Sequence, residues 1–383
     1  MKNVSFLLIL IAATAVVSCK KKGCTDESAT NYSEKAKKDD GSCTYQELSI
    51  PSTFNFTDDA GNSTVSFGGQ TERLNQMEEM TTYMKSGTTT ILTNDALTAM
   101  FENTDDNGGG NFTFSSTKQL QNKCFATDLT LFEGYLTALA IASEDYAEVA
   151  ESGQAGVLSS GSSTYLFASN GIEYTQVIEK GLMGAVFLNQ ATNIYFGSGK
   201  MNVDNSVAVN SADGKHYTEM EHHWDEAFGY FGAPVDFLTN TDSLRFWAKY
   251  CDKQNTALGS NAIIMNAFLK GRALISQGFE TSMRDEQIEI IRKEWERVSA
   301  SQAVTYLEGA KDNFGTDNAK FLHELSEAYA FVLSLKYLPL ETRVISFTEI
   351  ETILNDNIGN DFWTVTLTDL NAATASLNSI YGF

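Results

Sequence analysis

Proline is nearly absent from this chain: only Pro51, Pro234 and Pro339 occur in 383 residues. Proline removes a backbone donor and clashes with the preceding turn, so a chain almost free of it can run long helices. Apolar residues recur at helical spacing over 127–150, 172–194, 217–231, 241–251, 256–277, 281–313 and 317–338, with shorter stretches at 346–357 and 367–380. Leu74, Met77, Met80 and Met84 make a further stripe closed by Gly87, and such a methionine stripe reads as core. Breaks fall at the glycine-rich 107–111, at the Gly/Ser-rich 152–163 and at the polar 205–214. The first of these reads as a loop, because no Gly-Lys-Ser/Thr follows to cradle a phosphate. Gly181 and Gly184 sit inside a helical stretch, where they permit close helix packing. The expected fold is an all-α helical bundle over 49–383, entered through a small β-hairpin whose alternating arms 53–57 and 64–67 flank a turn at 58–62.

Charge narrows the function classes. The formal net charge is −22. Seven of the 27 basic residues and five of the 49 acidic ones lie in 1–46, leaving 20 against 44 in the rest. A body this acidic does not suit phosphate-backbone contacts, which excludes a nucleic-acid partner. It reads as a solvated acidic surface or as an attractor of cations.

The N-terminus carries an address. Met1-Lys2-Asn3 precedes a mostly apolar run over 4–17, too short to span a bilayer and fitting a secretion signal over 1–18. The run ends in Val16-Val17-Ser18-Cys19, which resembles the lipobox of bacterial lipoproteins; by that resemblance Cys19 becomes the lipidated first residue of the mature chain. The alternative is an ordinary secreted protein cut near Ser18. With Cys19 lipidated, Lys20, Lys21 and Lys22 would lie at the bilayer, each attracting anionic headgroups by ~1 kcal/mol. The absence of Asp after Cys19 resembles lipoproteins sorted to the outer membrane, facing the periplasm or the cell surface.

Residues 19–48 read as a stalk. Gly23-Cys24-Thr25-Asp26, then Ala29-Thr30-Asn31-Tyr32 and Asp39-Asp40-Gly41-Ser42-Cys43, resemble a short repeat of secreted bacterial proteins. An oxidising compartment favours a Cys24–Cys43 bridge, which would stabilise so small a module by ~3 kcal/mol. Asp39-Asp40-Gly41 reads as a plain turn, since the spaced oxygen ligands of a calcium loop are missing. Cys124 and Cys251 either pair or stay as thiols.

The chemistry-bearing residues are the histidines, of which there are four. His223 and Glu226 are three apart, while His222 faces Asp225 and Glu226 at three and four. On a later helix His323 and Glu327 are four apart. These offsets share a helix face, so an imidazole nitrogen and a carboxylate oxygen can converge on one cation. Taken alone, each pair reads as an ordinary surface or buried hydrogen bond, and it is the coincidence of two such helices in a chain poor in histidine that points to a site. Two such helices side by side would complete a mixed N/O site with His223, Glu226, His323 and Glu327 as ligands and His222 and Asp225 as orienters or alternates. His323-Glu324-Leu325-Ser326-Glu327 begins like a zincin motif but lacks its second histidine, and no nucleophile elbow occurs, so peptidase or hydrolase activity is the weaker alternative.

The segment from His223 to Gly232 resembles the region around the G-x-H-x-x-E motif of imelysin-like envelope proteins, with Glu221 in place of the motif's glycine. More closely, the body from Ile50 to Phe383 is similar to the domain-of-unknown-function family 4856 through 176–190, the His222–Tyr230 segment and 323–337. The imelysin resemblance implies a helical fold, a place among metallopeptidase-like proteins, and iron or another divalent metal as cofactor. The expected function is a lipid-anchored envelope protein that binds a divalent metal for metal or iron acquisition. A non-catalytic partner of an outer-membrane transporter is the further alternative.

Overall fold

The computed structural model describes residues 20–383; the signal segment and the lipidation candidate Cys19 lie outside the described residues. The chain divides into two compact units, Met1–Ser49 and Ile50–Phe383.

In the first unit Cys24 and Cys43 form a disulfide, their Cα atoms 4.7 Å apart. Its few buried apolar residues, Cys24, Ala29 and Ala36, cannot make a core, so the cross-link takes that role. Hydrogen bonds tie the segment together around it: the main-chain amide of Thr44 donates to Asn31 Oδ1 at 2.8 Å and the Tyr45 hydroxyl to the Asp26 side chain at Oδ2, 2.7 Å. Asp39 and Asp40 each accept from a main-chain N–H two residues on, at 3.1 Å, which makes their segment an Asx turn.

The second unit is helical. Its elements run α1 (Gly68–Lys85), α2 (Asn94–Glu102), α3 (Leu129–Glu144), strands β1 (Gly156–Ser160) and β2 (Ser163–Phe167), α4 (Tyr174–Leu182), α5 (Ser198–Met201), α6 (Glu219–Phe231), α7 (Phe246–Leu258), α8 (Ser260–Ser276), α9 (Thr281–Asn313), α10 (Asn318–Leu335), α11 (Phe347–Glu351) and α12 (Leu367–Tyr381). The proline-free α9 is the spine, about 50 Å long at 1.5 Å per residue. Ile288, Ile291, Trp295, Val298, Ala303, Leu307 and Ala310 recur on it at three- to five-residue steps and are all buried. That face packs against α8 and α10, and more lightly against α7 and α12.

α10 in turn packs on α4, which continues through two π-helical segments, the buried Met183–Leu188 and the partly buried Gln190–Tyr195. Gly184 explains the close approach: a Cβ there would lie 2.8 Å from the Ser334 Cα on α10. The buried guanidinium of Arg292 on α9 donates from Nη2 and Nε to the Thr192 carbonyl at 2.7 and 3.1 Å, satisfying the widened helix where its own ladder fails.

Three features depart from the sequence reading. The two-stranded sheet is β1–β2, antiparallel from Gly156↔Phe167 to Ser160↔Ser163, inside the stretch read as a Gly/Ser connection. Ser and Gly at its tip hide a strand pattern too short for periodicity to reveal. At the entrance, the expected hairpin reduces to one antiparallel bridge, Thr57↔Ser63. Helix α7 starts later than 241–251, because Arg245 is held extended by its bonds to Glu78 and Asn75 of α1, and it runs on to Gly259, whose φ of 70° ends it. Cys124 and Cys251 are free thiols, both pushed up to about 12 by burial, which makes them poor nucleophiles. Among the described residues, no helix is long and apolar enough to cross a membrane.

Candidate functional site

The informative histidines lie on α6. Its start is set by a capping box: Thr218 Oγ1 accepts the Glu221 amide, and Glu221 Oε2 accepts the Thr218 amide at 2.8 Å. Gly232, with φ of 82°, ends it. One inward face of α6 holds Glu221 and Asp225, and the fully buried Arg272 of α8 takes both. Its Nε donates to Asp225 Oδ1 at 2.7 Å and its Nη1 to Glu221 Oε1 at 2.6 Å. Burial pushes the Asp225 carboxyl up, and the guanidinium pulls it back. Glu221 thus has two structural tasks at the position where the imelysin-like motif has glycine.

The next face carries His222 and Glu226 to a polar cavity of about 380 Å³. Its wall also includes Gln70 and Arg73 of α1, the loop residues Lys118 and Lys123, and Tyr195 at the end of the second π segment. Glu226 Oε1 accepts from Gln70 Nε2 at 3.0 Å and from the Tyr195 hydroxyl at 3.1 Å. Oε2 accepts from His223 Nδ1 at 3.1 Å. Desolvation raises the Glu226 carboxyl, but these donors and His222 outweigh it and hold it below its ordinary value.

His222 is oriented differently. Its Nδ1 donates to the Ser66 carbonyl at 3.0 Å, since a carbonyl can only accept. In the neutral ring Nε2 is therefore a lone pair, and it lies 3.8 Å from Glu226 Oε1. Burial lowers the His222 pKa, against the opposing pull of Glu226 and Ser66. The ring also stacks on Tyr217, centroids 4.6 Å apart. Ser66 completes a relay, because its amide donates to Asp225 Oδ2 at 3.0 Å. His223, by contrast, is buried, and among the described residues its Nε2 has no hydrogen-bond partner; Glu219 Oε1 lies 3.5 Å from it.

The second expected pair belongs to another network. His323 Nδ1 meets Glu173 Oε2 at 2.6 Å, and its Nε2 meets Glu327 Oε2 at 3.4 Å. Glu327 Oε1 is paired with the buried Lys180 of α4 at 3.1 Å. Burial alone would lower the His323 pKa, but the Glu173 hydrogen bond and the two carboxylate charges raise it. Its ring lies on Tyr165 of β2, centroids 4.3 Å apart. This ion network joins α4, α10 and β2. The structure therefore does not bring His223, Glu226, His323 and Glu327 together as one ligand set, and among the described residues no three His, Cys, Asp or Glu are grouped to hold a metal. The fourth histidine, His216, faces Asp58 at 3.4 Å near the surface.

Residues 51–383 match the family described as "Domain of unknown function (DUF4856)". The chain belongs to the DUF4856 family. No curated protein and no solved structure matches it. The cavity is thus built within the DUF4856 region from α1, the 118–123 loop, the π segment and α6. Gln70, Arg73, Lys118, Lys123 and Tyr195 carry no sequence signal that marks them. Arg272 and Lys270 are the two charges amid the otherwise mostly apolar stretch 262–275, and the pattern does not say which of them is buried.

Proposed function

We propose that this protein is a lipid-anchored lipoprotein of the cell envelope whose DUF4856 domain is a non-catalytic binding module, holding a divalent cation between His222 and Glu226. One observation carries the cation. A neutral imidazole nitrogen and an ionised carboxylate oxygen, both acceptors, stand 3.8 Å apart on a cavity wall. Two acceptors at that spacing repel unless a cation or donor bridges them, and metal–ligand bonds of ~2.1 Å reach both. The Nδ1–H bond to the Ser66 carbonyl is the support that metal-bound imidazoles commonly have. With two protein ligands, water or a bound molecule fills the remaining positions, a pattern suited to Mn2+, Fe2+ or Mg2+ rather than to a closed zinc site. His323 and Glu327 have no part in it, because Glu173 and Lys180 already occupy them. The lipobox-like Val16-Val17-Ser18-Cys19 supports the anchor, and metal uptake beside an outer-membrane transporter is the role this combination suits.

Calorimetric titration with Mn2+, Fe2+ and Zn2+ tests the cation. Wild type is expected to bind at least one of them, His222→Ala and Glu226→Gln to weaken that binding by more than about 10-fold, and His323→Ala to leave it unchanged. Absence of binding to wild type, or retention in His222→Ala, would sink the site. For the anchor, Cys19→Ala is expected to move the protein from the membrane pellet to the soluble fraction; an unchanged distribution rejects lipidation.

A further inference from the structure

The lining of the same cavity also holds three cations, Arg73, Lys118 and Lys123, that form no ion pair among the described residues. Arg73 is buried, with 6% of its surface exposed. Its Nε and Nη1 donate to the main-chain carbonyls of Gln119 and Gly69, at 2.9 and 3.3 Å, and its charge also acts on the buried Tyr230 hydroxyl. Neither it nor Lys118 nor Lys123 has a carboxylate within ion-pair distance among the described residues, where every other buried arginine in the helical unit except Arg73 reaches one. A buried charge without a partner is costly, and proteins keep one where a ligand supplies the counter-charge. Glu72 and Glu226 share the lining, but among the described residues neither forms an ion pair with these three cations: Glu72 accepts from Ser116 Oγ, and Glu226, the carboxylate of the cation site, accepts from Gln70, Tyr195 and His223.

Backbone donors face the same space. Helix α1 begins at Gly68 with Phe67 as N-cap and no side-chain cap. Among the described residues the amides of Gly68 and Gly69 find no acceptor, and both glycines line the cavity. Free N–H groups at the start of an 18-residue helix favour an anion. The Lys118 side chain crosses directly over this start: a Cβ on Gly69 would lie 3.1 Å from its Cε. Burial and the neighbouring Arg73 charge, with smaller contributions from Lys200 and Lys118, depress the Lys123 pKa against the opposing pull of Glu226.

We infer that the cavity binds a small anion, a carboxylate or phosphate, seated on the N-terminus of α1 between Arg73, Lys118 and Lys123. This deepens the binding-module reading and rests on the cavity being its ligand site. The anion's oxygen atoms would also face the gap between His222 and Glu226, where they can fill the open positions of a bound cation. Cation and anion then assist each other.

The test is calorimetric titration of the full chain with inorganic phosphate and with succinate, each alone and with Mn2+ present. Phosphate or succinate is expected to bind wild type, more tightly with Mn2+, and the Lys118→Ala/Lys123→Ala protein to bind at least about tenfold more weakly, as the loss of one or two charge-assisted hydrogen bonds implies. Both lysines are partly exposed and unpaired, so the double variant should keep the wild-type melting temperature, which circular dichroism checks. Failure of wild type to bind either anion under both conditions, or equal binding by the double variant, overturns the inference. Mn2+ binding without anion binding overturns it while leaving the cation proposal standing; silence towards all three ligands ends both.

Discussion

Arg272→Met is expected to destabilise the helical unit by about 3–5 kcal/mol, the cost of removing one partner from a buried ion network. Arg272 has no exposed side-chain surface, and Asp225 and Glu221 beside it have 0% and 7%. Its Nη2 also donates to the Thr64 carbonyl at 2.8 Å, and its guanidinium lies over the Phe56 ring, 4.9 Å from the centroid. One side chain therefore fastens the entrance segment, α6 and α8 together. Methionine fills the volume but leaves two carboxylates desolvated and without a counter-charge. Adding Asp225→Asn and Glu221→Gln removes that charge and should restore part of the stability, whereas Arg272→Lys should not, because an ammonium lacks the planar fork that reaches both acids. Urea denaturation reads all three, and a loss below about 1 kcal/mol for Arg272→Met contradicts the assignment. The effect extends to the cavity. Asp225 holds the Ser66 amide and the Ser66 carbonyl holds His222, so cation affinity should fall in the same variant even at temperatures where it stays folded.

Gly271→Ala should reverse the usual sign of such a change. In an open helix position this substitution stabilises by about 0.5–1 kcal/mol. A Cβ at Gly271 would lie 2.1 Å from Cζ2 and 2.2 Å from Cη2 of Trp224. That indole cannot step aside: it is fully buried, its Nε1 donates to the Phe268 carbonyl at 3.0 Å, and Phe196 packs on it with centroids 4.8 Å apart. Helices α6 and α8 must separate instead, and overpacking of this kind costs about 1–3 kcal/mol net of the propensity gain. Gly134 in α3 is the control, since a Cβ there meets nothing within 4 Å, and Gly134→Ala should raise the melting temperature. Equal shifts in the two variants would refute the close α6–α8 contact.

Much of the fold was legible locally. The ranges read for the helices at 281–313, 317–338, 217–231 and 256–277 fall within a few residues of α9, α10, α6 and α8. Helical period and caps act within a turn or two of the residue that carries them, so a pattern in the chain is enough. The Cys24–Cys43 pairing lies within one short segment and was equally readable. The sheet at β1–β2 was not, because its arms are five residues each and its tip is serine and glycine.

The site was legible only in part. Spacing placed His222 and Glu226 on one face of a helix, and the structure keeps them there. It was the neighbours that decided what each histidine does. Ser66 orients His222 from 156 positions away, and Glu173 takes His323 from 150 away. Both histidine–carboxylate pairs look alike in the chain, yet one opens on a cavity and the other closes into an ion network with Lys180. The sequence by itself determined a proline-poor helical body, its helix limits and a stapled N-terminal module, because those follow from backbone sterics and short-range pattern. Only the tertiary structure decided which histidine turns its ring into the cavity and where cations without ion-pair partners gather. A side chain's hydrogen-bond partner and its exposure to water are properties of whatever packs against it, and packing joins residues that no local pattern relates.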